Sequence, residues 1–140
     1  MRTYFDASVI VALFMHDTFS ERADEFGRSG AVVPVVSDFG AAEFSSAVAR
    51  RVRTGDISID RARVILSRFD RWHVEIAGGM EIGPGDISSA ATFLRRLDLN
   101  LRTPDAIHLA VTQRLRGPLA TFDDRMAAAA RTLGLSTVQV

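Results

Sequence analysis

The sequence predicts an α/β fold in which a mostly parallel sheet is covered by helices on both faces. Short apolar stretches alternate with longer amphipathic stretches along the chain, and this alternation is typical of parallel strands joined by right-handed crossovers. Residues 31–36 are almost continuously hydrophobic, as expected of a strand buried on both faces. The length of 140 residues suits one compact domain, and we expect a single domain over residues 1–140.

The elements of the first half follow from β preference, capping residues and glycine breaks. Tyr4 and Phe5 supply the β preference of a first strand, and Asp6 lies on the turn into an apolar helix. Ser37 caps a long helix that Thr54 and Gly55 end. The helices expected here cover residues 7–14, a stretch from about 18 or 20 to the glycines at 27–30, 38–53 and 60–72; the strands after the first cover 31–36 and 73–77.

The second half repeats the alternation after a loop over residues 78–85. Thr103, Pro104 and Asp105 fit a helix start in which Thr caps, Pro takes the first position and the acid meets the helix dipole. The helices expected here cover residues 86–97, 103–115 and 123–133, and the strands cover 118–122 and 136–140.

Composition excludes several classes of chemistry. The chain has no cysteine, which excludes disulfides, thiolate metal sites and cysteine nucleophiles and favours a cytoplasmic protein. All seventeen basic residues are arginine, so no mechanism that requires a lysine is available. The net charge is zero, so nucleic acid would have to bind to a local patch. We expect no membrane segment and no secretory signal.

Four acids stand at the starts of helices or just after strands: Asp6, Glu43, Asp105 and Asp123. Taken singly, Asp6, Asp105 and Asp123 are explained by helix capping. Glu43 is different, because its helix face carries small or apolar groups and no cation within one turn. Its charge is therefore expected to have a partner.

The four acids make a stronger case together. The first and fourth strands are expected to be neighbours, which places Asp6 and Asp123 side by side where ligands bind to parallel sheets. Two carboxylates about 4 Å apart repel by roughly 4 kcal/mol at an effective dielectric of 20, so a cluster needs protonation or a cation. Oxygen ligands select Mg²⁺ or Mn²⁺ over zinc. Such an ion suits phosphodiester hydrolysis, and Ser8 and Thr121 could hydrogen-bond the carboxylates or simply cap turns.

Four motifs resemble the PIN-domain nucleases, and among them the VapC-type toxins of bacterial toxin–antitoxin pairs. They are Asp6-Ala-Ser-Val-Ile-Val-Ala-Leu-Phe, Ala41-Ala-Glu43-Phe-Ser-Ser-Ala, Thr103-Pro-Asp105-Ala-Ile-His-Leu-Ala and Thr121-Phe-Asp123. They span the chain in the family's order, and the third is the most specific. The last departs from the family, which often has Asn where this chain has Phe122. Asp124 follows directly, and the Thr-x-Asp spacing favours Asp123.

The resemblance implies a three-layer fold around a five-stranded sheet. It also implies an endoribonuclease dependent on Mg²⁺ or Mn²⁺, in which Asp6, Glu43, Asp105 and Asp123 are the catalytic and metal-binding acids. Further implications are an RNA substrate, a homodimer, and a small VapB-type antitoxin that blocks the site and relieves growth inhibition.

Other polar residues receive simpler interpretations. His108 lies one turn after Asp105, and a packing or hydrogen-bonding role is preferred to catalysis. The arginines at 50, 51 and 53 fit a solvated helix end, whereas Arg95, Arg96 and Arg102 are better candidates for RNA contact. Trp72 and the phenylalanines occur at helical spacing and are expected in the core rather than in a base-stacking platform.

Three other functions remain open at this stage. The chain could be a phosphotransfer protein with Asp6 as nucleophile, although such families use a lysine. It could be a PIN-like binding module without a metal, although a buried acidic cluster is costly without a cation. A PIN nuclease of housekeeping or RNA processing is the third alternative.

Overall fold

The computed structural model describes all of residues 1–140 as a five-stranded sheet with seven helices. The strands are β1 (Arg2–Phe5), β2 (Val33–Ser37), β3 (Gly78–Met80), β4 (Leu119–Ala120) and β5 (Thr137–Val138). The helices are α1 (Ala7–Phe14), α2 (Ser20–Arg28), α3 (Asp38–Arg53), α4 (Ile59–Glu75), α5 (Pro84–Leu94), α6 (Thr103–Leu115) and α7 (Asp124–Thr132). All strands are parallel in the order β3-β2-β1-β4-β5, which confirms the predicted α/β class.

Two hydrophobic cores lie on opposite faces of this sheet. Successive side chains of a strand point to opposite faces, so Tyr4 and Leu119 enter one core while Phe5 and Ala120 enter the other. The first core is completed by residues of α5, α6 and α7, and the second by residues of α1, α3 and α4. The fold therefore has three layers, with β1 at the centre of the sheet. No helix combines the length and apolar character that crossing a membrane requires.

The third strand lies elsewhere than predicted. Residues 73–77 alternate polar and apolar side chains, which suggested a strand, but α4 continues to Glu75 and β3 covers Gly78–Met80. The helical spacing of Ala62, Ile65 and Phe69 anchors α4 in the core, and its last turn follows that register, leaving Val74 83% exposed. The edge strand β3 depends on backbone pairing with β2, which its Gly-Gly-Met sequence does not signal.

Two predicted helix starts have different outcomes. Ser37 caps α3 as expected, its hydroxyl accepting a hydrogen bond from the Gly40 N–H at 2.9 Å. Thr103 was expected to cap α6 and is instead its first residue, with Arg102 in the capping position. The Asp105 carboxylate satisfies the Arg102 N–H at 3.0 Å, so the acid takes part of the role assigned to Thr103.

Other boundaries shift by a few residues. The second strand begins at Val33 rather than residue 31, and α5 covers Pro84–Leu94 rather than 86–97. Strands β4 and β5 are two residues each, shorter than the predicted 118–122 and 136–140.

Candidate active site

The candidate site lies at the carboxyl edge of the two central strands. Because β1 and β4 pair in parallel, the residues that follow them emerge side by side. Asp6 follows β1 and caps α1, and Asp123 follows β4 and caps α7. The sequence prediction that these two strands would be neighbours is therefore confirmed.

Asp6 is a buried carboxylate surrounded by hydrogen-bond donors. Its side chain accepts hydrogen bonds from the hydroxyls of Ser8 and Thr121, each at 2.6 Å, and from the Val9 N–H at 3.2 Å. The residue is only 3% exposed, and it has no ion-pair partner among the salt bridges of the protein. Burial raises the pKa of the Asp6 carboxyl, while the hydrogen bonds from Ser8 and Thr121 oppose that shift.

Ser8 and Thr121 also connect the two turns of the site. The Ser8 hydroxyl accepts a hydrogen bond from the Phe122 N–H, and the Thr121 hydroxyl accepts one from the Asp123 N–H, both at 2.9 Å. Each hydroxyl thus donates to Asp6 and accepts from the turn after β4. Of the two roles considered for these residues, turn capping and carboxylate binding, the structure contains both.

Asp123 is partly exposed and uses one of its two oxygens for capping. Its Oδ1 accepts hydrogen bonds from the N–H groups of Arg125 and Met126, at 2.9 and 3.2 Å. The Arg125 guanidinium is 3.9 Å from the same oxygen, a loose and exposed pair. Oδ2 accepts no hydrogen bond within the protein.

Glu43 has the partner that its position required, and the partner comes from a distant part of the chain. Its Oε2 lies 2.5 Å from Nε2 of His108, which is 3% exposed. On the other side of the ring, His108 Nδ1 lies 2.7 Å from the Tyr4 hydroxyl, which is 2.7 Å from Ser37 Oγ. The expected hydrogen-bonding role of His108 is therefore confirmed.

One direction of the hydrogen bonds in this chain gives each donor an acceptor. Burial raises the pKa of Tyr4, and the acids nearby add to the shift, so the hydroxyl keeps its proton. Ser37 Oγ accepts from the Gly40 N–H and can donate to Tyr4; Tyr4 then donates to His108 Nδ1, and His108 Nε2–H donates to Glu43. In this arrangement both ring nitrogens of His108 and the hydroxyls of Tyr4 and Ser37 have partners.

Sequence reasoning missed this chain of contacts as a unit. Its members lie 33, 65 and 104 residues apart in pairwise contacts, and no local pattern encodes such separations. The available signals were a carboxylate without a cation on its own helix and a histidine one turn after another acid.

Asp105 projects from the first turn of α6 and is half-buried. Its Oδ2 accepts the Arg102 N–H, and its Oδ1 accepts no hydrogen bond within the protein. Residues three apart on a helix share a face, so Asp105 lies on the same side of α6 as His108.

The donor chemistry of the four acids fits a hard divalent cation, but their side chains do not converge on one point. Carboxylate oxygens are the ligands that Mg²⁺ and Mn²⁺ prefer, and Glu43, Asp105 and Asp123 each keep one oxygen without a protein donor. However, no three His, Asp or Glu side chains are arranged as a ready metal site. The expected metal centre therefore remains a prediction.

The arginines near the site are exposed. Arg95, Arg96 and Arg102 all face solvent, and Arg96 pairs with Asp98 at 3.1 Å. The cluster at the end of α3 is partly engaged, because Arg51 donates to the His16 carbonyl at 3.1 Å. These contacts leave Arg95 and Arg102 as candidates for RNA contact.

Comparison with known proteins identifies relatives along nearly the whole chain. Residues 3–132 match the PIN domain family model. Ribonuclease VapC46 of Mycobacterium tuberculosis is 33% identical over 140 residues, covering 96% of this chain and 95% of the relative.

Two solved structures share the fold at lower identity. The crystal structure of Mycobacterium tuberculosis VapC20, described as a Sarcin-Ricin loop cleaving toxin, superposes with a TM-score of 0.77 at 19% identity and covers 99% of each chain. A chain of a toxin–antitoxin complex from Klebsiella pneumoniae superposes with a TM-score of 0.61 at 17% identity and covers 86% of each chain.

Proposed function

The chain belongs to the PIN-domain family and is a ribonuclease of the VapC toxin type; we propose that it hydrolyses RNA phosphodiester bonds with a divalent ion held by Asp6, Glu43, Asp105 and Asp123. The activity is supported by similarity to a ribonuclease over nearly the full length of both chains. Asp6 and Asp123 are supported by their position at the carboxyl edge of β1 and β4, where ligands bind in open α/β folds. Glu43 and Asp105 are supported by the family motifs in which they stand.

One observation carries the proposal of a metal ion. Asp6 is a buried carboxylate without a cationic partner, and a buried charge of this kind is costly unless a counter-charge compensates it. The hydroxyls of Ser8 and Thr121 hold the carboxylate in place but bring no positive charge. A bound cation would supply that charge.

Each residue of the site has a separate part in this proposal. Asp6 is the fixed ligand, while Glu43, Asp105 and Asp123 offer their free oxygens after a change of rotamer. Tyr4 and His108 orient Glu43 through its other oxygen. When bound, a divalent ion lowers the pKa of an attacking water and neutralises charge on the scissile phosphate. We propose Mg²⁺ or Mn²⁺ because all four ligands are carboxylates.

We also propose a small antitoxin of the VapB type and a second copy of this chain as partners. The antitoxin is supported by similarity of fold to one chain of a toxin–antitoxin complex, and the second copy by the resemblance of the sequence to the family. An antitoxin that binds at the carboxyl edge of β1 and β4 would keep RNA away from the acids.

The experiment is cleavage of a mixed cellular RNA pool by the purified protein with Mg²⁺, Mn²⁺ or EDTA. We expect cleavage that requires the metal and falls by at least two orders of magnitude in Asp6→Asn and in Asp105→Asn, since metal chemistry carries the reaction. Asp70→Asn is the matched control, because Asp70 is exposed on α4 and forms no ion pair. Cleavage that persists in EDTA or in both site variants would contradict the proposal.

A metal-free binding module is the second candidate, favoured by the lack of a ready three-ligand site. It predicts no divalent binding and RNA unaffected by wild-type protein. A phosphotransfer role for Asp6 has less support, because the families with such a nucleophile use a lysine and this chain has none.

A further inference from the structure

A cleft beside the acids contains two phenylalanines, Phe19, which is exposed, and Phe122, which is partly buried. It has a volume of about 420 Å³ and lies between the α2 start, the turn after β4, α7 and the C-terminal residues. This volume is within the range of about 300–1,000 Å³ typical of ligand clefts. Thr121 belongs both to its wall and to the hydrogen-bonded shell of Asp6, so the cleft adjoins the candidate active site.

Two aromatic rings form a platform in this cleft. Phe19 and Phe122 stack with centroids 4.5 Å apart and planes inclined by 15°. Phe19 is 38% exposed, which corrects the expectation that the phenylalanines are all core residues. The guanidinium of Arg22 lies 5.2 Å from the centre of the Phe122 ring, so the platform continues into a planar cation.

The cleft also carries unpaired positive charge. Arg131 lines it and forms no ion pair with a carboxylate. Arg22 also lines the cleft, but its guanidinium donates a hydrogen bond to the main-chain oxygen of Val140, the last residue of the sequence. Asp124 is the one acidic side chain of the lining and does not pair with Arg131, so Arg131 is the cation of the cleft that is open to a phosphate.

We propose that this cleft binds a nucleotide of single-stranded RNA next to the scissile bond, with its base on the Phe19–Phe122 platform and its phosphate at Arg131. This inference rests on the proposed function and identifies where that substrate is held. Bases of single-stranded RNA stack on aromatic side chains and guanidinium planes, and the cleft offers both beside a phosphate-binding cation. A purely apolar partner would leave Arg131 without a counter-charge.

The test is equilibrium binding of a short single-stranded oligoribonucleotide that carries 2-aminopurine, measured in EDTA so that hydrolysis does not intervene. We expect quenching of 2-aminopurine fluorescence by the wild type. Phe19→Leu keeps the apolar contact but removes the aromatic face, and we expect about tenfold weaker binding with less quenching. Phe19→Tyr restores the face and should restore both.

The contribution of the Arg131 charge to RNA binding is tested separately. Arg131→Gln should weaken binding and lower the slope of log K against log salt by about 0.7, the value for one lost phosphate contact to a single strand. Arg68→Gln is the matched control, because Arg68 is exposed on α4 and does not line the cleft. Melting curves of all variants check that the fold is retained.

The outcomes separate this inference from the proposed function. Wild-type protein that does not bind the oligonucleotide, or Phe19→Leu with unchanged affinity and quenching, would overturn nucleotide binding in this cleft even if RNA cleavage is found. Conversely, Asp6→Asn should lose cleavage and keep quenching. If the wild type cleaves no RNA but quenching depends on Phe19, nucleotide binding in the cleft is supported and the proposed nuclease activity is contradicted.

Discussion

At the scale of single residues, the site is built from acids whose structural roles are also visible. Asp6 and Asp123 cap α1 and α7, and Asp105 closes the start of α6. Capping uses one oxygen of Asp123 and one of Asp105, so the second oxygen of each stays available. A capping role and a ligand role are therefore compatible in the same carboxylate.

Asp6→Asn should stabilise the metal-free protein at neutral pH. Because burial raises the folded-state pKa of Asp6 above its unfolded value, folding with an ionised Asp6 loses stability as the pH rises through that range. Asparagine removes the charge, and we expect a gain in the free energy of unfolding at pH 7 that disappears in acid, where the wild-type carboxyl is protonated. Urea unfolding in EDTA at both pH values measures this. An Asp6→Asn variant that is less stable than wild type by the same amount at pH 7 and in acid would contradict this prediction. The control Asp70→Asn should leave the free energy of unfolding unchanged at both pH values.

Tyr4→Phe should destabilise the fold although it removes a single oxygen atom. The Tyr4 ring is fully buried, and its hydroxyl contacts both Ser37 and His108. Removing it leaves Nδ1 of the buried His108 without a donor, which costs about 1–3 kcal/mol. Denaturant unfolding checks the value. Thr132→Val, which removes an exposed hydroxyl, should change the free energy of unfolding by far less. Equal effects of the two substitutions would show that the buried chain of contacts does not stabilise the fold.

At the scale of elements, α5 and α6 are joined by a charged pair that fixes the helix carrying Asp105 and His108. Arg114 donates to both oxygens of Asp86, at 2.8 and 2.9 Å, and also to the Glu81 carbonyl at 2.7 Å. Asp86 is 3% exposed, whereas the Arg114 side chain is 47% exposed. The pair is therefore anchored at the carboxylate and open to solvent at the guanidinium.

Asp86→Asn should lower the free energy of unfolding at neutral pH. It should also make that free energy depend less on pH in the acid range. Hydrogen bonds from Arg114 lower the pKa of Asp86, so its contribution is present above the unfolded pKa of about 3.9 and is lost as the pH falls through the folded pKa. We expect a loss of about 1–2 kcal/mol at pH 7, less than for a fully buried pair because Arg114 is half-exposed. The variant and the wild type should converge in strong acid.

Unfolding measured from pH 7 down to pH 2 follows this convergence. Asp98→Asn is the control, because Asp98 pairs with Arg96 at an exposed position and should contribute less than about 0.5 kcal/mol. A constant difference between Asp86→Asn and wild type at every pH would contradict the assignment.

At the scale of the whole molecule, the alternation of apolar and amphipathic stretches predicted the layers, and turn chemistry predicted the carboxyl-edge position of Asp6 and Asp123. The predictions that failed, and the contacts that were not predicted, have two physical causes. Residues 73–77 satisfy both a strand and a helix pattern, and only the packing of α4 decides between them. The contact between His108 and Glu43 is tertiary, so no spacing along the chain indicates it. For the same reason the prediction placed all phenylalanines in the core, since the stacking of Phe19 on Phe122 joins different helix starts and is also tertiary.

The most direct measurement is titration of Mn²⁺ into the metal-free protein, followed by electron paramagnetic resonance of the free ion. The account predicts saturable binding that Mg²⁺ competes away, that Asp6→Asn and Glu43→Gln abolish, and that Asp70→Asn preserves. Binding by wild type that is unsaturable, or that survives unchanged in both site variants, would contradict a metal centre at the carboxyl edge of β1 and β4.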